Sequence, residues 1–92
     1  MKKAVSVVEV ADEGLIGLLG ERVTLFCANY FYTGILAGVN DDCVLLEDPA
    51  IVYETGPFTD KKWQDYQSLG VPVWYVARQA IESFGVLKVV LP

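Results

Sequence analysis

Two glycines four residues apart, Gly34 and Gly38, interrupt Phe31–Val39, a segment otherwise rich in strand formers. Glycine inside a strand marks a sharp bend or a close backbone approach, because it lacks the side chain that would pack there. A strand with such a hinge lets a small sheet curl onto itself. Turn residues bracket it, Asn29-Tyr30 before and Asn40-Asp41-Asp42 after. Asparagine at the first turn tolerates the left-handed conformation that tight hairpins need.

The neighbouring segments carry the same signal. Arg22–Ala28 alternates, with Val23, Leu25 and Cys27 on one side and Arg22, Thr24, Phe26 and Ala28 on the other. Cys43–Leu46 begins a third strand, which Pro49 interrupts and Ile51–Glu54 resumes. Val71–Ala77 is a strand that Pro72 places at or near an edge, and Ile81–Leu91 is the last, kinked at Gly85. Gly56–Gly70 is a variable stretch, in which Asp60 could start a short helix carrying Trp63 and Tyr66 or Gln67. At the N-terminal side, Ala4–Val10 reads as an extra strand or arm, and Asp12 could cap a helical turn over Leu15–Leu19. Short strands joined by tight turns predict an all-β chain, one domain over residues 1–92.

A 92-residue chain buries about 60–65% of the surface its unfolded form exposes, so it is marginal alone. Yet 53% of its residues are hydrophobic. That excess of apolar surface predicts burial between subunits. Cys27 and Cys43, each inside an apolar run, read as core residues rather than a disulfide. The chain starts at Met1 with no signal peptide and has no apolar run long enough for a helical span, so a cytoplasmic protein is expected.

Chemistry is sparsely represented. There is no histidine, which removes the commonest general base, and two isolated cysteines fall short of a zinc set. Asp41, Asp42, Glu47 and Asp48 lack the spacing of a calcium loop. No enzyme activity and no cofactor are expected. A net charge of −5, from seven basic and twelve acidic residues, argues against coating duplex DNA by charge alone. It leaves room for a local basic rim, and Lys2, Lys3, Lys61, Lys62 and Lys88 could gather.

The stretch Leu19–Leu46, LGERVTLFCANYFYTGILAGVNDDCVLL, resembles the first motif of the Sm/LSm family. Gly20 and Arg22 approximate its opening, and Val23 and Leu25 match its first strand. Tyr32, Gly34 and Leu36 match its aromatic-x-Gly-x-Leu strand. Val73–Phe84 resembles the second motif more faintly, with Ala77 and Arg78 where the family has Arg-Gly. The resemblance implies a small, strongly bent, antiparallel five-stranded barrel. An N-terminal strand or short helical arm would precede it, and a long variable loop would come before strand four. It also implies a homo-oligomeric ring, in which strand four of one subunit pairs with strand five of the next.

The family's rings bind single-stranded RNA through the turn after strand two and the turn between strands four and five. Carried over by position, these are Asn40, Asp41, Asp42, Cys43 and Val44, and Ala77, Arg78, Gln79 and Ala80. The departures matter. Asp42 stands where a base would stack, and a carboxylate repels phosphate. Val44 stands where an asparagine would read the base edge. Arg78 can still meet phosphate, and Gln79 can read a base. Tyr30 or Phe31, if exposed, could stack one. The implied function is single-stranded RNA or DNA binding as a scaffold or chaperone in nucleic-acid processing. The alternative is a structural or protein-interaction module on the same barrel, with Asn40-Asp41-Asp42 serving only as turn residues and Arg78-Gln79 simply solvated.

Overall fold

The computed structural model describes residues 14–54, 56–57, 63 and 65–87. A single helical turn, α1 (Gly14–Gly17), is followed by β1 (Arg22–Cys27), β2 (Phe31–Val39), β3 (Cys43–Glu54), β4 (Asp65–Ser68) and β5 (Val73–Ala77). A 3-10 turn (Arg78–Ala80) then leads into β6 (Ile81–Gly85). All pairings are antiparallel, in the order β4-β3-β2-β1-β6, with β5 also on β3.

The core follows from the alternation. Val23 and Leu25 lie opposite Gly34 and Tyr32, Leu36 opposite Leu46, and Val44 and Leu46 opposite Val76 and Trp74. Val23, Leu25, Leu36, Val44 and Leu46 are fully buried, with Leu15 of α1 and Val76 packed among them. Backbone bonds from Gly20 N–H to Leu36 O and from Leu36 N–H to Glu21 O tie the entrance of β1 to the middle of β2.

β2 and β3 bend together at Gly34. The ladder between them skips from Thr33↔Ala50 to Ile35↔Glu47, leaving Asp48 and Pro49 bulged out of register. A Cβ on Gly34 would lie 2.9 Å from both the Glu47 carbonyl oxygen and the Leu46 Cβ, so the glycine permits a contact no other residue would allow. Asp48 takes a left-handed φ of 49°, its N–H reaches Pro72 O, and its carboxylate pairs with Arg22 across the sheet. Pro49 sits where the ladder asks for no donor. That is why a proline lies inside one continuous β3 instead of dividing it in two.

Other expectations shift. Among the described residues there are six strands, not five, and no ladder joins β6 to β4 or β5, so the sheet they form is not closed by hydrogen bonds. The extra strand comes from the stretch read as a variable loop. Asp65–Ser68 pairs with Ala50–Glu54, with Tyr66 opposite Val52 and Gln67 opposite Ile51, so these two residues lie on a strand rather than a helix. β4 and β5 thus line successive halves of β3, separated by a bend at residues 69–72 where Gly70 takes a φ of 69°. The first hairpin closes with Cys27 N–H on Tyr30 O, and Asn29 is not left-handed. The expected strand or arm at Ala4–Val10, the start of the helix at Asp60, Lys2, Lys3, Lys61, Lys62 and Lys88 all lie outside the described residues.

No helix among the described residues is long and apolar enough to cross a membrane.

Candidate functional site

Two turns meet at one end of the sheet. Asn40 ends β2, and its side-chain Oδ1 accepts hydrogen bonds from the N–H groups of Asp42 (2.7 Å) and Cys43 (2.9 Å). This Asx arrangement fixes the turn from within. The 3-10 turn after β5 docks against it. Arg78 N–H donates to Asp42 O at 2.9 Å, and the Arg78 guanidinium donates through Nη1 to Asn40 O at 2.9 Å. The pairing Cys43↔Ala77 starts the β3–β5 ladder at the same point. Residues 38 apart in the sequence are thereby fastened together.

Asn40, Asp41, Asp42, Arg78 and Gln79 are therefore one surface, and all five are exposed. Its charge is two carboxylates against one guanidinium, and that guanidinium already serves a backbone carbonyl. Tyr30 and Phe31 are elsewhere, at the opposite end of the nine-residue β2. Phe31 stacks face to face on Phe26 at 4.2 Å and meets Trp63 edge-on, while Tyr30 stands edge-on to Tyr53 at 4.9 Å. Phe26 and Phe31, with Trp63 against Phe31, lie on the face that carries buried Thr24, Thr33, Ala50 and Val52, whereas Tyr53 and Tyr30 form a separate pair near Tyr32. Trp63 is buried, as a core residue should be, whereas Trp74 is 42% exposed at the β5 edge.

Among the described residues no group of His, Cys, Asp or Glu is arranged to hold a metal ion. Both cysteines are free. Burial pushes the Cys27 thiol pKa up, with the Glu82 carboxylate adding to it, and burial likewise raises the Tyr32 phenol. The folded protein thus keeps protons that the unfolded chain would release. This contribution to stability is complete below about pH 8.5 and is lost as pH rises above it. The melting temperature should fall between pH 8 and pH 11, and a flat or rising profile would contradict the assigned burial.

The apolar excess expected from the sequence to lie between subunits is found on the last two strands. β5 reads as an apolar strand, yet Val73, Trp74 and Tyr75 are 41%, 42% and 64% exposed, and Phe84, Val86 and Leu87 are exposed in and after β6. Among the described residues, β5 pairs only with β3 and β6 only with β1. Each therefore presents a bare edge dressed with large apolar side chains. Comparison with family models, curated proteins and solved structures finds no match to this chain.

Proposed function

We propose that this chain is a subunit of a closed homo-oligomeric ring of the Sm/LSm kind, acting as a scaffold or protein-interaction module. One observation carries the reading: among the described residues, β5 and β6 each hold an unpaired apolar strand edge. Exposed edges of that kind pair with something. Head-to-tail pairing of β5 with β6 of the next copy uses both and closes without leaving an end. The bend at Gly34 and the two fastened turns support the Sm-like barrel. So does the placing of β4 and β5 along one flank of β3, as one interrupted strand four.

The turn surface favours a scaffold over a nucleic-acid binder. In a ring it repeats once per subunit, giving a circle in which Asp41 and Asp42 outnumber Arg78. Phosphate binding needs the opposite balance.

A second reading keeps single-stranded RNA or DNA as the ligand, because Arg78 and Gln79 are exposed beside the Asn40 turn. Oligonucleotide binding at low and moderate salt separates the two. The scaffold reading expects no salt-sensitive binding. The nucleic-acid reading expects binding that Arg78→Ala weakens by more than one contact's share, through avidity around the ring, with a flatter salt dependence. In either case Arg78→Ala removes one hydrogen bond between the turns, worth about 0.5–1.5 kcal/mol, and the fold should survive.

A further inference from the structure

An aromatic corner stands at the turn of the first hairpin. Tyr30, which closes that turn, meets Tyr53 near the end of β3 edge to face, with ring centroids 4.9 Å apart and planes at 76°. Both are exposed, Tyr30 by 40% and Tyr53 by 51%. The corner has a fixed base. β2 and β3 pair Phe31 with Val52 and Tyr32 with Ile51, so the sheet sets the register that brings Tyr30 beside Tyr53. Tyr32 packs half-buried against the core, and Cys27, Tyr30 and Tyr53 add to the burial that raises its phenol. Exposed tyrosines held on rigid strands offer contact area at little cost in conformational entropy.

Charge decides what the corner would hold. Among the described residues the cations are Arg22 and Arg78. Arg22 opens β1 and pairs with Asp48, while Arg78 is held at the Asn40 turn, so both lie away from the Tyr30 turn. Carboxylates surround the corner instead. Glu82 stands out of register where β6 meets Cys27, and adds to the burial that raises the Cys27 thiol. Glu54 follows Tyr53 and faces Asp65 across β3 and β4. Like charges opposite one another destabilise a sheet pair, and a cation nearby relieves them. The negative faces of the two rings act in the same sense. A phosphate would be repelled by the same groups. Among cations, a guanidinium is planar and weakly hydrated. It can stack on an aromatic face while its N–H groups reach a carboxylate, which an ammonium cannot do as well.

We infer that the Tyr30–Tyr53 corner is the docking site for an arginine side chain in a basic segment of a partner protein. This docking site rests on the protein-interaction reading and names its class of partner. Each subunit carries the whole corner. A closed ring would repeat it, so that a segment with several arginines gains by avidity.

The test titrates the full chain into a fluorescein-labelled Gly-Arg repeat peptide, and into the same peptide with glutamine for arginine, by fluorescence anisotropy at low and moderate salt. The arginine peptide should bind and the glutamine peptide should not. Tyr53→Ala should weaken binding about 3- to 30-fold, the span of one cation–π contact from exposed to desolvated. Tyr53→Phe should bind nearly as the parent does, because the ring face remains. Glu82→Gln should weaken binding and flatten its salt dependence. Circular dichroism checks that each variant folds. Equal binding by Tyr53→Ala and the parent, or equal binding of the two peptides, overturns the inference. If labelled oligouridylate binds in place of the peptide with that dependence on Tyr53, the corner stacks bases and the inference is overturned. If the peptide binds only after Lys61 and Lys62 are replaced by alanine, the chain's own lysines fill the corner, with the same consequence. Light scattering of the same samples reads the ring separately. A ring that ignores the peptide sinks the docking site alone, and a monomer that binds it supports the docking site and sinks the ring.

Discussion

Gly34→Val should destabilise the fold by about 2–4 kcal/mol. The site has no slack. The first added carbon would lie 2.9 Å from the Glu47 carbonyl oxygen and from the Leu46 Cβ, neither of which is the end of a movable side chain. Relief requires β2 and β3 to separate at the bulge where Asp48 and Pro49 stand out of register. Overpacking that must be relieved through the backbone falls at or above the upper end of the usual 1–3 kcal/mol range. Gly38→Val is the control, because a Cβ there meets only Leu45 side-chain carbons, the nearest at 3.5 Å. Chemical denaturation of both variants decides the point. Equal midpoints would mean that the bend is not at Gly34.

Tyr75→Lys should abolish assembly while leaving the subunit folded. Tyr75 is 64% exposed, so its replacement costs the monomer little. A lysine on an unpaired strand is the device by which sheet edges are kept from associating. Ser83→Lys should do the same from the β6 side. The pair gives a sharper result than either alone. A Tyr75→Lys subunit retains a sound β6 edge, and a Ser83→Lys subunit retains a sound β5 edge. Mixed, the two should form a one-to-one heterodimer through the single intact junction and go no further. Rings from the mixture, or no heterodimer at all, would show that the junction is not β5 on β6.

How much of this was legible in the sequence depends on how local the signal is. β1 and β2 were readable because alternation and turn residues act over a few positions, and Gly34 announced its bend by interrupting strand formers. β3 was read as broken because Pro49 normally stops a strand. Its tolerance depends on a bulge created by β2, at least a dozen residues away in the chain. β4 was missed because Asp65-Tyr66-Gln67-Ser68 has no apolar alternation, and it is a strand only because the end of β3 offers it a partner. The meeting of Asn40 with Arg78 followed from the family resemblance, but the engagement of the Arg78 guanidinium by a backbone carbonyl did not. An apolar groove over the β1–β6 pair was invisible for the same reason: Thr24 and Phe26 of β1 line it together with Ser83, Phe84 and Gly85 of β6, which only pairing brings together.

The central claim is that these chains join edge to edge into a closed ring. Sedimentation equilibrium or multi-angle light scattering of the full chain at micromolar concentration tests it most directly. A single species of five or more subunits, with its mass unchanged over a tenfold dilution, is the predicted result. A stable monomer with both apolar edges still exposed to water would contradict it.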